Sequence, residues 1–142
     1  MIKILLFEGV DASGKTTLIN EVLKLTNEFI CVHRFSASQY VFNGEYYENP
    51  GKTNLSDCLK IDRCLKNVGI YVYCVADAEI ITQRMKDKKE DKQRFKTQNF
   101  DLNLMLYDYY FSKTPLKVII MNTSDSTPVS LAKSIIKQAR EI

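Results

Sequence analysis

One short stretch near the amino terminus restricts this chain to few folds. Residues 7–17 read FEGVDASGKTT and satisfy the phosphate-binding pattern G-x-x-x-x-G-K-[ST] at every required position. An apolar run at residues 2–7 precedes the pattern, and residues 15–25 follow it with apolar side chains at helical spacing. The stretch therefore predicts a buried strand, a phosphate-binding loop and a helix in direct succession.

Each residue type in this loop has a physical reason. Gly9 and Gly14 let the backbone bend so that successive N–H groups point at phosphate oxygens, and the positive end of the helix faces the same anion. Lys15 would reach the β- and γ-phosphates, and the Thr16 hydroxyl would ligate Mg²⁺. We expect the whole loop to hold the nucleotide: Gly9, Val10, Asp11, Ala12, Ser13, Gly14, Lys15, Thr16 and Thr17.

Strand-like and helical patterns alternate along the rest of the chain. Strands are predicted at residues 2–7, 29–32, 70–75 and 117–121, and helices at 15–25, 37–47, 55–65, 78–88, 93–111 and 128–141. Thr127 or Ser126 would cap the last helix, which has Pro128 at its first position. The alternation predicts an α/β fold of the P-loop NTPase type, in which about four parallel strands lie between two helical layers. No linker divides the chain, so residues 1–142 are expected to form a single domain.

Composition argues against several other classes of protein. The chain is 45% hydrophobic and 26% charged, which is usual for a globular protein. It has no secretory signal pattern and no apolar span of about 18 residues, so we expect a cytoplasmic protein that does not enter a membrane. The cysteines lack C-x-x-C spacing, which favours free thiols over a zinc site or disulfides.

A basic segment lies between Arg84 and Lys96. Its seven basic and three acidic residues have a local balance of +4, which exceeds the net charge of +3 for the whole chain. Such a run is usually a solvated helix face, and it could also bind nucleic acid, a possible partner that is not favoured here. Beside a phosphate-binding loop, residues 84–96 also fit a mobile lid over the nucleotide phosphates.

A second group of residues follows the second predicted strand. Arg34 lies at the carboxyl end of this strand, where open α/β sheets bind ligands. Ser38, Phe42, Asn43 and Gly44 follow Arg34 at offsets of four, eight, nine and ten residues. Together with the F-E-G-x-D start of the phosphate-binding loop, this pattern resembles the thymidylate kinase family of P-loop kinases, in particular its short phage-type members.

The resemblance implies a function and a set of site residues. The expected reaction is ATP-dependent transfer of a phosphoryl group, with Mg²⁺, to a dTMP-like deoxynucleoside monophosphate. Arg34 would hold the acceptor phosphate and Asp11 would reach its sugar. The implied acceptor site consists of Asp11, Arg34, Ser38, Phe42 and Asn43, and the implied catalytic residues are Lys15, Arg34, Arg84 and Lys92. The resemblance also leaves room for a homodimer, whose surface the sequence does not identify.

The lid would have a special task in this chain. Some members of the family carry an Arg in the phosphate-binding loop, where this chain has Ala12. The positive charge that the transition state needs would then come from elsewhere, and the basic segment at residues 84–94, with Arg84 and Lys92, is the expected source.

The chain departs from the family pattern in three places. His33 stands at the position of a family Asp, and neutral imidazole organises Mg²⁺ poorly, so Glu8 or Asp11 would have to compensate. The family's segment between the first helix and the Arg34 strand is largely absent. Phe42 and Asn43 replace Tyr and Gln. The acceptor pocket would therefore be rebuilt from other residues, with Tyr40, Tyr46, Tyr47 and Arg63 as candidates, whereas Tyr107, Tyr109, Tyr110 and Phe111 are expected in the core.

Two other functions stay open at this point. A kinase acting on a hydroxyl of a nucleoside, DNA or RNA would benefit from a base, and His33, with an ordinary pKa of about 6.5, could serve. A nucleotide-binding regulator without transferase activity would agree with His33 and with the missing acceptor segment.

Overall fold

The computed structural model describes residues 1–43, 54–87 and 100–142. Over these residues the four strands are β1 (Lys3–Glu8), β2 (Phe29–His33), β3 (Gly69–Val75) and β4 (Lys117–Asn122). The six helices over the same residues are α1 (Lys15–Leu25), α2 (Ser36–Asn43), α3 (Leu55–Cys64), α4 (Ala78–Asp87), α5 (Phe100–Lys113) and α6 (Pro128–Glu141). Each predicted strand is present, with ends within one residue of the expected positions.

All four strands run parallel, in the order β2-β1-β3-β4. β1 pairs with β2 from Lys3 to Phe7 and with β3 from Ile4 to Glu8. The carboxyl ends of parallel strands share one edge of the sheet, and the chain reverses its winding direction around β1. Such a reversal opens a crevice at the carboxyl edge, which is where ligands bind in open α/β sheets.

The two faces of the sheet are covered by separate cores. Leu5 and Phe7 of β1 belong to the core that includes α1 and α6. Leu6 points to the opposite face and belongs to the core that includes side chains of α2, α3, α4 and α5. β3 is buried along nearly its whole length, as expected for a central strand covered on both faces. The three-layer α/β fold predicted from the sequence is confirmed.

The second core contains a buried carboxylate. Asp62 on α3 accepts hydrogen bonds from the hydroxyls of Tyr71 at 2.8 Å, Tyr110 at 2.7 Å and Thr114 at 2.6 Å. These donors replace water around the carboxylate, and they join α3 to β3 and to the end of α5. Tyr107 and Tyr110 are fully buried as predicted, whereas the prediction of a core position for Tyr109 is wrong, since it is 46% exposed.

Helix ends differ slightly from the predicted ones. α5 ends at Lys113, two residues later than expected. It stops before Thr114 because Pro115 disfavours helical geometry at the residue that precedes it. The expected start of this helix at 93–99, the end of the second helix at 44–47 and position 88 lie outside the described residues. None of the helices that the structure describes is long and apolar enough to cross a membrane.

The N-cap of α6 leads to a prediction about the stability of the fold. The Thr127 side chain accepts a hydrogen bond from the Ser130 N–H at 3.2 Å, so the cap is Thr127 and not Ser126. Thr127→Ala should lower the free energy of unfolding by about 1 kcal/mol, because this N–H loses its acceptor. Urea denaturation measures the change. Ser126→Ala is the matched control, and an equal loss in both variants would contradict the cap assignment.

Candidate active site

The predicted phosphate-binding loop leaves the carboxyl end of β1. It runs from the end of the strand at Glu8 to the start of α1 at Lys15. β2 and β3 pair with β1 on either side, and the segments that follow His33 and Val75 leave the same edge of the sheet. The loop therefore lies in the crevice that the strand order creates.

The backbone of the loop has the conformation that its glycines allow. Gly9 has a φ of +143°, and a Cβ atom there would lie only 2.4 Å from the carbonyl oxygen of Cys74. Gly14 has a φ of +96° and immediately precedes α1. Ala12 also adopts a positive φ, of 62°, which costs energy for a residue with a side chain. These turns bring the loop back across the sheet edge to the amino terminus of α1.

Lys15 is folded into this loop and is almost fully buried. Its Nζ donates hydrogen bonds to the carbonyl oxygens of Gly9 at 2.8 Å and Val10 at 2.7 Å, and to Ser13 Oγ at 3.3 Å. Burial, followed by the positive charge of Arg34, lowers the pKa of Lys15 to about 7. The amine therefore rests on oxygen atoms of the loop itself, and a bound phosphate would offer it a charged acceptor instead.

Glu8 ties the end of β1 to the start of α2. Its buried carboxylate accepts from the backbone N–H groups of Phe35 at 2.6 Å and Ser38 at 3.1 Å. The hydroxyls of Ser38 and, at 3.1 Å, Tyr107 donate to its other oxygen. Burial raises the pKa of Glu8, while these hydrogen bonds favour the ionised form. Because four donors occupy the carboxylate, Glu8 positions the site and is poorly placed to replace the family Asp at a metal.

Arg34 follows β2 with a strained backbone. Its φ is +67°, which is uncommon for a residue other than glycine, and its N–H continues the sheet by donating to the Phe7 carbonyl at 2.9 Å. One guanidinium nitrogen, Nη2, forms an ion pair with Asp11 at 2.5 Å. The guanidinium also lies 4.9 Å from the centre of the Phe42 ring. The side chain thus has a defined direction along the loop.

The other guanidinium nitrogen of Arg34 joins a cluster of oxygen atoms. Nη1 lies 3.2 Å from the Gly9 carbonyl oxygen, 3.1 Å from Ser38 Oγ and 3.4 Å from the Tyr107 hydroxyl. The Gly9 carbonyl also accepts from Lys15, and the Tyr107 hydroxyl lies 3.2 Å from it. The lysine of the loop and the arginine after β2 therefore meet at one carbonyl oxygen.

Arg84 contacts the opposite side of the loop. Its guanidinium donates to the Ala12 carbonyl at 2.9 Å, and to the hydroxyl and carbonyl of Thr123 at 3.0 and 2.9 Å. Thr123 follows β4, and its hydroxyl donates to the Ser13 carbonyl at 2.7 Å. Arg84 and Thr123 thus connect the loop to α4 and to the segment before α6.

Two cavities of ligand size are lined by described residues that follow the strands at this edge of the sheet. The first, of about 440 Å³, has walls that include Ala12, Thr17, Arg84, Thr123, Ser126 and Leu131. The second, of about 460 Å³, has walls that include Arg34, Phe35, Ser38, Gln39, Phe42 and Asn43. Each cavity has one arginine in its wall, and each arginine contacts the phosphate-binding loop, Arg84 at Ala12 and Arg34 at Asp11.

His33 and Thr16 are both exposed. Partial burial, followed by the charges of Lys15 and Arg34, lowers the pKa of His33, so its imidazole is neutral at pH 7. Thr16 lies in the first turn of α1, where its hydroxyl is available to a ligand. Within residues 1–43, 54–87 and 100–142, no group of three or more His, Cys, Asp or Glu side chains could hold a metal ion.

Most of the sequence-predicted site residues come together at this edge. Lys15, Asp11, Arg34 and Ser38 form one connected cluster, and Phe42 and Asn43 line the cavity beside it. Arg84 lies on the other side of the loop. Lys92, the rest of the proposed lid at 88–96, and positions 44, 46 and 47 are outside the described residues.

Two expected pocket residues are not in the pocket. Tyr40 is buried, with its ring centre 5.6 Å from that of Tyr110, so the prediction that it rebuilds the acceptor pocket is wrong. It belongs to the core because the inner side of α2 faces α5. Arg63 is exposed on α3 and does not line the cavity beside Arg34.

Two contributors are missed by the sequence reasoning. Tyr107 was assigned to the core, which is correct for its ring, but its hydroxyl lies in the oxygen cluster around Arg34. The available signal was that a buried tyrosine hydroxyl needs a polar partner. Thr123 was not considered, although it follows a parallel strand at the edge where ligands bind.

Comparisons with known proteins agree with this architecture. No protein-family model matches the sequence, and no curated protein sequence matches it. The YorR protein from Bacillus subtilis, in complex with phosphorylated GDP, has a TM-score of 0.78 at 18% identity, over 97% of this chain and 96% of that chain. Thymidylate kinase from Candida albicans has a TM-score of 0.60 at 14% identity, over 99% and 92%. At such identities the likeness shows the fold alone, which is the α/β fold of the P-loop NTPase type.

The lowered pKa of Lys15 leads to a prediction about anion binding. In the protein without ligand, the Lys15 amine is mostly unprotonated at about pH 8. A bound triphosphate would favour the ammonium form, so binding should take up about one proton. Calorimetry of ATP binding in two buffers of different ionisation enthalpy measures this uptake. In Lys15→Arg, whose guanidinium stays protonated, the uptake should disappear. Binding by the unaltered protein without proton exchange would contradict the prediction.

Proposed function

We propose that this protein is an ATP-dependent nucleotide kinase that phosphorylates a dTMP-like deoxynucleoside monophosphate to the diphosphate. The observation that carries the proposal is a pair of cavities that each have in their wall an arginine bonded to the phosphate-binding loop, Arg84 at Ala12 and Arg34 at Asp11. Transfer between two nucleotides needs two binding places whose phosphates meet at one point. The two similar structures add support, because one contains phosphorylated GDP and the other is a thymidylate kinase.

The donor nucleotide is assigned to the cavity beside Arg84. Its phosphates would lie on the loop amides and at the amino terminus of α1, where the helix dipole favours an anion. Lys15 would leave the carbonyl oxygens of Gly9 and Val10 and bind the β- and γ-phosphates. Arg84 already bonds to the Ala12 carbonyl of the loop, so it needs only a small movement to reach a bound phosphate.

The acceptor is assigned to the cavity beside Arg34. The guanidinium would bind the monophosphate, since planar N–H pairs match phosphate oxygens well. Asp11 holds this guanidinium and would reach the acceptor sugar. Phe42 and Asn43 line the space in which the rest of the acceptor would lie.

The reaction needs little covalent chemistry from the protein. An oxygen of the acceptor monophosphate attacks the γ-phosphorus, the bond from this phosphorus to the β,γ-bridging oxygen breaks, and ADP leaves with the electron pair. The attacking oxygen is already an anion, so no proton has to be removed. The protein's part is position and positive charge, from Lys15, Arg34, Arg84 and Lys92.

The donor set suits Mg²⁺ that arrives with the phosphates. Mg²⁺ commonly takes one or two protein ligands, with phosphate oxygens and water in the other positions. The exposed Thr16 hydroxyl at the start of α1 would be such a ligand, and a cluster of carboxylates is not required. When bound, the ion supplies charge neutralisation at the phosphates. A homodimer is proposed on the family resemblance alone, and a cytoplasmic location stays an expectation from the sequence.

One observation favours a second candidate, a kinase that acts on a hydroxyl group. The neutral imidazole of His33 is exposed at the carboxyl edge of the sheet and could accept the proton of such an acceptor. The monophosphate is preferred because Arg34, which has its own ion pair and a cavity beside it, is suited to an anionic acceptor.

An acceptor panel tests the proposal. The protein is incubated with labelled ATP and Mg²⁺ together with nucleosides, deoxynucleoside monophosphates and oligonucleotides, and Lys15→Ala serves as the control for contaminating kinases. Label is expected on a deoxynucleoside monophosphate, and none with Lys15→Ala. Label on oligonucleotides or nucleosides alone would establish the second candidate. Tight ATP binding without transfer to any acceptor would indicate a nucleotide-binding regulator.

Arg34→Ala should separate the two nucleotide sites. The Michaelis constant for the acceptor should rise about 10- to 100-fold, because a charged hydrogen-bond donor is lost, while the ATP dissociation constant should change less than about threefold. Steady-state kinetics and calorimetry measure the two quantities. Arg140→Ala, which removes an exposed arginine paired with Glu28, is the matched control. Equal losses in acceptor and ATP binding would count against the role of Arg34.

His33→Asp tests whether a carboxylate is missing beside the loop. Turnover at limiting Mg²⁺ should rise several-fold, because a carboxylate orders the water shell of the ion better than neutral imidazole does. Rates are measured across a Mg²⁺ titration. His33→Asn has a similar size without the charge, and an equal response of both variants would remove the electrostatic explanation.

A further inference from the structure

We propose that Tyr107 is a positioning residue that sets the direction of Arg34 for the acceptor phosphate, an inference that rests on the proposed function. Tyr107 belongs to α5, far along the chain from the phosphate-binding loop, and its side chain is fully buried. Its hydroxyl lies 3.1 Å from Glu8 Oε2, 3.2 Å from the Gly9 carbonyl oxygen and 3.4 Å from Arg34 Nη1. The Tyr107 hydroxyl therefore contacts the loop at Gly9, the buried carboxylate of Glu8 and the guanidinium of Arg34.

The direction of these hydrogen bonds follows from the chemistry of the partners. Arg34 can only donate, and the ionised Glu8 can only accept. The Tyr107 hydroxyl accepts from Arg34 and has one proton to donate, to Glu8 or to the Gly9 carbonyl. The phenol thereby links the positive guanidinium to the buried negative carboxylate, which orients both. Ser38 Oγ forms a parallel link, since it also contacts Arg34 and Glu8.

The ring of Tyr107 also supports the Arg34 guanidinium, through the ring of Phe42. It contacts the edge of Phe42 at a centroid distance of 6.1 Å, and Phe42 in turn lies 4.9 Å from the Arg34 guanidinium. Phe111 stacks on Tyr107 at an interplanar angle of 16°. The ring cannot easily turn within this packing, so the hydroxyl has a constant position.

The two nitrogens of the guanidinium consequently have different tasks. Nη1 is fixed by the Gly9 carbonyl and by the hydroxyls of Ser38 and Tyr107. Nη2 pairs with Asp11, whose side chain is partly exposed, as is that of Arg34. An arriving phosphate can share or replace a partly exposed ion pair, whereas the buried oxygen cluster stays in place. We infer that the phenol keeps Nη1 inside, so that the rest of the guanidinium faces the acceptor cavity.

Tyr107→Phe tests this inference, because the ring and its packing remain and only the hydroxyl is removed. The Michaelis constant for the acceptor monophosphate should rise about tenfold, with kcat falling less and the ATP dissociation constant changing less than about threefold. The control is Tyr110→Phe, one turn away on the same helix. Tyr110 is equally buried, and its hydroxyl also donates to a buried carboxylate, that of Asp62. Its acceptor Michaelis constant should stay unchanged, while thermal unfolding reports the stability of both variants.

The possible results separate this inference from the proposed function. Equal acceptor Michaelis constants in the two variants, with transfer intact, would overturn the role of Tyr107 alone. A parallel loss of ATP affinity in Tyr107→Phe would also overturn it, since the damage would then be general to the loop. Failure of the unaltered protein to bind or phosphorylate any monophosphate would reject the proposed function and this inference with it. If Tyr107→Phe does not fold, Phe111→Leu, which removes the ring stacked on Tyr107 and leaves the hydroxyl in place, must show the same selective loss.

Discussion

The carboxylate of Glu8, buried at the end of the central strand, orders the whole candidate site. A carboxylate without water is tolerated only when hydrogen-bond donors surround it. Here the donors are two backbone N–H groups at the start of α2, the Ser38 hydroxyl and the Tyr107 hydroxyl from α5. The loop, α2 and α5 therefore have one favourable arrangement. Arg34 lies between the end of β2 and the start of α2. Because Glu8 holds the start of α2, the position of Arg34 depends on the same carboxylate.

A second constraint joins the two halves of the site. The Gly9 carbonyl accepts from Lys15 and Arg34, and the Tyr107 hydroxyl lies 3.2 Å from it. Under the proposed function, Lys15 serves the donor and Arg34 the acceptor, so departure of the lysine to a phosphate would leave this oxygen to the other two partners. Hydrogen-bond networks of this kind respond as units, and one nucleotide can thereby influence the site of the other. Nucleotide binding would begin by replacing contacts that the protein makes with itself.

The fold could be predicted closely because its signals are local. Apolar runs identified all four strands, and the signal is clearest for β3, which is covered on both faces. The glycine pattern of the loop needed no knowledge of distant residues. The position of Arg34 at the carboxyl end of β2 follows from the same local pattern. Tyr40 was misassigned because its nearness to Arg34 in sequence suggested the pocket, while the turn of α2 directs it to Tyr110 in the core.

Local order along the chain was thus enough for the α/β class, the phosphate-binding loop and the arginine opposite it, since each depends on residues within one or two elements. The partners of these residues come from far away. Tyr107 reaches Glu8 across 99 positions, and Thr123 reaches Ser13 across 110. A pattern of spacing contains no information on which distant hydroxyl fills a buried hydrogen bond. Only the packing of α5 and the segment after β4 against the sheet selects those donors, because a buried polar group must be satisfied by whatever side chain the fold brings to it.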